Sequence, residues 1–147
     1  MVQKLRERTR GEGGFTLVEL LVVMLILGLL AAIAIPSFFN QRDKARDADA
    51  KAAARTAQTA METYATDNNG SYANADAGAL QAIEPTLNDA QISVDSADQD
   101  SYQITATSTT GNTFTIIRDD DGRTSFTCQT ENEGGCPAGG NWGGVDE

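Results

Sequence analysis

The sequence has no histidine, two cysteines, three prolines and one tryptophan in 147 residues. Without histidine there is no imidazole to serve as general base or to hold a catalytic zinc, and two cysteines alone do not complete a zinc shell. Neither a Gly-x-Ser-x-Gly elbow nor a phosphate loop occurs, so the common hydrolase and nucleotide-binding motifs are missing. The chain reads as non-catalytic, with no cofactor and no metal. Cations are also scarce, with 11 Lys and Arg against 21 Asp and Glu, a net charge of −10. An acidic surface repels phosphates and forgoes the counterion release that drives nucleic-acid binding, so no direct binding of nucleic acid is expected.

What the chain does have is one long apolar run, residues 15–39, whose only ionisable side chain is Glu19. As a helix it spans roughly 37 Å, enough to cross a bilayer. A carboxylate in such a helix costs on the order of 2.5–3.5 kcal/mol on insertion scales, so a partner cation is expected. Ahead of the run, Lys4, Arg6, Arg8 and Arg10 stand against Glu7 and Glu12. That excess holds the N-terminus in the cytoplasm and places everything beyond Phe39 outside.

The Gly13-Gly14 pair precedes the run, whereas an ordinary signal peptide is cut after its apolar region. A cut after Gly14 removes the basic residues and keeps the helix. It also leaves the α-amine of Phe15 four residues from Glu19, on a helix end that already carries positive partial charge. The amine then supplies the missing cation, within one helix or between neighbours, where the same pair sets the stagger of packed subunits.

These residues, Gly14 followed by Phe15-Thr16-Leu17-Val18-Glu19-Leu20-Leu21-Val22-Val23, resemble the class III signal of type IV pilins and type II secretion pseudopilins. The resemblance covers about residues 10–40. It implies that a membrane-bound prepilin peptidase cuts between Gly14 and Phe15 and methylates the new amine of Phe15. It also implies that Glu19 meets the N-terminus of a neighbouring subunit during assembly. Gly28 and Pro36 both weaken a helix, Pro by removing a hydrogen bond and clashing with the carbonyl four residues back. A kink at Pro36 is the minimum expectation, and by resemblance the segment from Gly28 to Pro36 loosens in an assembled filament.

From residue 40 to 64 the chain is rich in helix formers and lacks Gly and Pro, so the helix is expected to continue. Ala45, Ala48, Ala52, Ala57, Ala60, Met61 and Tyr64 recur at helical steps and are read as the stripe that faces a sheet. Arg42, Lys44, Arg46, Lys51 and Arg55 are read as solvated charges that can also meet lipid headgroups or a neighbour's acidic face. The helix is expected to stop near Asp67-Asn68-Asn69-Gly70. Residues 68–100 read as a connector with a short helix at Ala77–Ile83 and a short strand at 91–94.

Three period-two segments follow, 102–107, 113–118 and 124–128, separated by Thr110-Gly111-Asn112 and Asp120-Asp121-Gly122. They predict an antiparallel meander. Cys128 and Cys136, eight residues apart in the part placed outside, predict a disulfide worth about 2.5 kcal/mol in the chain-entropy model. By resemblance that bridge pins the C-terminal loop. Asp119-Asp120-Asp121-Gly122 reads as a hairpin turn rather than a calcium loop, because it lacks EF-hand spacing. Asn69-Gly70-Ser71 matches the glycosylation sequon, and the threonines at 105–115 read as strand formers. Trp142, in a glycine-rich tail without periodicity, is expected to pack over the sheet or the disulfide rather than act as an adhesive aromatic.

The fold class is therefore α+β, which by resemblance is the pilin fold. It comprises a leader at 1–14, a membrane and filament-core helix at 15–39, an amphipathic continuation at 40–67, a connector at 68–100, and the sheet with its disulfide loop at 101–147. The resemblance implies a homopolymer in a helical filament, with membrane lipid around the helix before assembly. Its implied partners are the prepilin peptidase, an inner-membrane platform protein and assembly ATPases. The main reading is a major pilin that ends in a surface pilus, and the alternative is a pseudopilin of a secretion or competence system. A reading from another class, a surface domain held by an uncut signal anchor, would need neither Glu19 nor the diglycine.

Overall fold

The computed structural model describes residues 13–143; most of the leader and the last residues of the tail, Gly144 among them, lie outside the described residues. Helix α1 spans Leu17–Asp67, 51 residues, and its helical assignment runs without a break through Pro36. The chain divides into two units between Phe39 and Asn40.

In the first unit no apolar side chain finds a core. Leu17 and Leu25 are each 74% exposed and Ile33 is 72% exposed. The same holds round the whole circumference, so this half of α1 lacks a polar face. It is long and apolar enough to cross a membrane. A naked apolar cylinder of this kind needs lipid or other apolar helices around it.

The second unit contains the remainder of α1, then α2 (Ala77–Ile83), a 3₁₀ turn (Pro85–Asp89), and strands β1 (Gln91–Ala97), β2 (Tyr102–Thr107), β3 (Thr113–Arg118) and β4 (Thr124–Cys128). The strands form one antiparallel sheet in the order β1-β2-β3-β4. The three expected strands are present. The fourth, β1, comes from the segment read as connector, extends beyond the expected 91–94 to Ala97, and carries a bulge between Val94 and Ser96. Alternation explains the sheet: in β2, Tyr102, Ile104 and Ala106 are buried while Gln103, Thr105 and Thr107 face the other side.

The core lies between that sheet face and α1. Phe114, Ile104 and Ile116 are fully buried, against Ala54, Ala57 and Met61 of the helix. Each buried side chain of this size contributes on the order of 1.5–3 kcal/mol. Alanine on the helix keeps the two layers close.

The stripe on α1 departs from the sequence reading. Ala57, Ala60 and Met61 are buried and Tyr64 is half-buried as expected, but Ala45, Ala48 and Ala52 are exposed. In their place the buried face carries Asp47, Ala50 and Ala54. Counting apolar residues skips an acid, and here the acid lies on the core side because hydrogen bonds satisfy it.

The helix ends where expected. Asn69 and Gly70 take positive φ angles of 58° and 84°, and the Gly70 amide donates to the Ala65 carbonyl at 2.7 Å. This is a left-handed helix cap, a conformation that Gly and Asn adopt at least cost.

Candidate functional site

Two constellations stand out, one at the N-terminus of α1 and one around Asp47 in the second unit. The first closes the helix N-terminus. The Thr16 amide donates to Glu19 Oε2 at 2.9 Å, and the Thr16 hydroxyl donates to the same oxygen at 3.0 Å. In return the Glu19 amide donates to Thr16 Oγ1 at 3.2 Å. This is a capping box, in which side chains three residues apart satisfy amides that the first helical turn leaves without partners.

Thr16 was not singled out from the sequence, although Thr-x-x-Glu before an apolar run is the pattern that finds it. The sequence reading supplied Glu19 with a cation; here Thr16 meets the carboxylate within the helix. Gly13 and Gly14 are exposed, and a Cβ built on either would meet nothing within 4 Å. Any requirement for glycine at 14 therefore comes from outside this chain. A Cβ built on Gly28 would likewise meet nothing within 4 Å, so packing within the chain does not demand a glycine there.

The second constellation centres on Asp47, which has no solvent exposure. Its Oδ1 accepts from the Thr110 hydroxyl at 2.6 Å, and its Oδ2 accepts from Asn112 Nδ2 at 2.7 Å and from the Gly135 amide at 2.8 Å. One carboxylate thus joins the helix to the β2–β3 turn and to the loop that ends at Cys136. Burial alone would raise its pKa, but the Gly135 amide, with Ser108, Thr110 and Asn112, outweighs burial and holds the carboxyl below its ordinary value. Glycine is required in that loop, because a Cβ on Gly134 would overlap Asp47 Oδ2 and one on Gly135 would sit 2.7 Å from Asp47 Cβ.

The Cys128–Cys136 disulfide closes this loop, with Cys136 buried. On the other edge of the same region Trp142 donates from Nε1 to the Thr127 carbonyl at 2.9 Å and stacks edge-on against Phe114 and Phe126. It packs over the sheet, as expected. Of the two cations beside this cluster that were read as solvated, Arg55 is exposed as expected and Lys51 is half-buried. Lys51 Nζ lies 5.3 Å from the Phe114 ring, and Arg55 lies 5.0 Å from Phe126 and 5.1 Å from Trp142. Burial lowers the Lys51 pKa, against the pull of Asp47. Arg42, Lys44 and Arg46 are exposed.

Farther along α1, Glu62 takes the hydroxyl of Tyr72 on Oε2 at 2.8 Å and that of Tyr102 on Oε1 at 3.0 Å. Burial, followed by the nearby Glu62 charge, raises the Tyr102 pKa above its usual range despite an opposing bond from Gln58. Arg118 approaches the same carboxylate at 4.0 Å. The helix is therefore fixed to the sheet at two polar points, Asp47 and Glu62.

Neither constellation resembles an active site, since neither places a nucleophile beside a base in a cavity. Among the described residues no group of acids is arranged to hold a metal. Asp119 Oδ1 instead accepts from the Arg123 amide at 2.8 Å and closes the β3–β4 turn.

Comparison with known proteins places both halves of the chain. Residues 9–35 match the family model described as the prokaryotic N-terminal methylation motif. Residues 36–131 match the model described as type IV minor pilin ComP, DNA uptake sequence receptor. The type IV wide pilus major component PilA4 of Thermus thermophilus is 31% identical over 130 residues, covering 87% of this chain and 99% of PilA4. Type II secretion system core protein G of Pseudomonas aeruginosa is 39% identical over 59 residues, 40% of this chain and 42% of that protein. Competence protein ComGC of Halalkalibacterium halodurans is 33% identical over 66 residues, 45% of this chain and 65% of that protein.

Proposed function

Because the chain belongs to the type IV pilin family, we propose that it is the major subunit of a type IV pilus, processed after Gly14 and assembled through the apolar half of α1. It is a structural protein and not an enzyme. Family membership, the N-terminal motif and the apolar helix together make the chain a membrane-anchored pilin that becomes part of a filament. The observation that carries the assembly mechanism is the helix of the first unit, exposed on every side and interrupted by a single carboxylate. Such a surface has two suitable surroundings, lipid and other copies of itself.

Assembly exchanges one for the other. The subunit waits in the cytoplasmic membrane with its N-terminus inside and its domain outside. A prepilin peptidase removes the leader and methylates Phe15, an inner-membrane platform and ATPases extract the subunit, and apolar helices bundle into the filament core. Glu19 selects the register by pairing with a neighbour's Phe15 amine, since any other stagger leaves a carboxylate unpaired in an apolar core. In the waiting state Thr16 holds that carboxylate, so the same group passes from its own helix to a partner. Gly28 and Pro36 give the intervening segment the means to loosen.

Length of match supports a pilus subunit over a secretion pseudopilin: 99% of PilA4 is covered, whereas the matches to protein G of Pseudomonas aeruginosa and Vibrio cholerae cover 42% and 52% of those proteins. A second reading, a minor pilin that receives DNA, is favoured by the match over residues 36–131. Charge weighs against it, since from Phe15 onward 7 Lys and Arg face 19 Asp and Glu.

Shearing the producing cells and imaging the released material tests the proposal. A major subunit dominates the sheared filaments. Recovery of this chain only in the membrane contradicts the pilus reading and supports the pseudopilin, and a trace amount beside another dominant pilin supports the minor role.

A further inference from the structure

We propose that Asn69 is an N-glycosylation site, modified by a saccharide carried on a polyprenyl pyrophosphate. The inference rests on the orientation given above, with the domain outside the cytoplasmic membrane.

Asn69-Gly70-Ser71 is the only Asn-x-Ser/Thr triplet in the sequence, and its middle residue is not proline. Chance places such triplets often, so the argument depends on where the fold puts this one. It lies in the turn that ends α1, and residues 66–70 are all exposed. Twenty helical residues, roughly 30 Å, separate Asp67 from the Asp47 anchor, so the site stands at the far end of the domain from the disulfide loop.

The two asparagines of the turn differ in one respect. Asn68 is occupied, donating from Nδ2 to the Tyr64 carbonyl at 2.8 Å. The Asn69 carboxamide has no hydrogen-bond partner among the described residues, and its φ of 58° lifts the side chain out of the helical path. Beside it, a Cβ built on Gly70 would meet nothing within 4 Å, so the space around the acceptor is open. Helix capping accounts for Asn69 and Gly70 but leaves the Asn69 side chain unused. Ser71 Oγ accepts from the Ala73 amide at 3.2 Å, a single bond that an enzyme reading the hydroxyl would have to displace.

In the reaction a bond forms between Asn69 Nδ2 and C1 of the first sugar, and the bond between C1 and the pyrophosphate oxygen breaks. One Nδ2 proton passes to a base of the transferase, and the bonding electron pair leaves with the polyprenyl pyrophosphate. Nothing is oxidised or reduced.

The test is peptide mapping of the full chain, taken from its producing cells as sheared filaments and as membranes. Trypsin releases residues 56–118 in one piece, because no Lys or Arg lies between Arg55 and Arg118. The wild-type peptide is expected to carry a carbohydrate mass on Asn69. That mass disappears in Asn69→Gln and in Ser71→Ala, which keeps the acceptor and loses only the bond from the Ala73 amide, and it remains in Asn68→Gln. A bare wild-type peptide, or a sugar that persists in Asn69→Gln, overturns the proposal. The N-terminal peptide of the same digest separates the two claims. A bare Asn69 on a chain that begins at Phe15 refutes glycosylation alone, and a bare Asn69 on an uncut chain refutes the processing as well.

Discussion

Asp47 accepts a hydrogen bond from the backbone amide of Gly135, 88 residues later in the chain, at 2.8 Å. The contact ties the point where α1 enters the domain to the disulfide loop, and it is made by a fully buried carboxylate with two further donors.

Removing that carboxylate leaves Asn112 Nδ2 and the Gly135 amide without their acceptor. Asp47→Ala is expected to destabilise the domain by about 3 kcal/mol, since bonds to a charged acceptor are each worth roughly 1.5–3 kcal/mol. Asp47→Asn keeps the shape but sets an amide donor among donors, and it should also destabilise. Chemical denaturation of the full chain in detergent checks both, and wild-type midpoints would contradict the anchoring role.

The same residue predicts a pH dependence. The folded pKa of Asp47 lies below its unfolded value. Its contribution is therefore complete above the ordinary Asp pKa of about 3.9 and is lost as pH falls through the lower folded value. Melting temperatures followed from pH 7 to pH 2 should drop more steeply below pH 4 in the wild type than in Asp47→Ala.

Reduction of the disulfide should cost about 2.5 kcal/mol in the chain-entropy model and should also free the loop that presents Gly135. The two effects share one structure. Cys128→Ser with Cys136→Ser, combined with Asp47→Ala, is therefore expected to be less damaging than the sum of the separate losses. Strict additivity in a double-mutant cycle would mean that the loop and the carboxylate act independently.

Thr16 and Glu19 should separate capping from register. Thr16→Ala removes one side of the capping box, worth about 1 kcal/mol of helix N-terminal stability, and Thr16→Ser restores it. Glu19→Ala also removes the proposed partner of a neighbouring amine. Sheared-filament yield is expected to fall sharply in Glu19→Ala with membrane insertion intact, and to fall less in Thr16→Ala. Normal yield from Glu19→Ala would contradict the register role.

Elements with strong local signals were legible in the sequence. The 102–107, 113–118 and 124–128 strands follow from alternation and from two hairpin turns, and the end of α1 from Asn69-Gly70. The apolar half of α1 needed only its length. What the sequence concealed was long-range polar satisfaction. Nothing local marked Asp47, because its donors lie more than 60 residues away, and the buried face was read from apolar residues alone, towards Ala45, Ala48 and Ala52. Strand β1 was short in pattern because its outer edge and its bulge blur the alternation. Lys51 read as fully solvated because the Phe114 ring beside it arrives from β3, far along the chain. Thr16 is the exception, since its capping partner stands three residues away.

The central claim is that this chain becomes a filament subunit through the N-terminus that cleavage creates. Intact mass of the sheared extracellular protein, with the membrane fraction measured beside it, tests that claim most directly. The account predicts a sheared species that begins at Phe15 and carries one added methyl group. A chain that retains Met1 to Gly14 and stays in the membrane would contradict it.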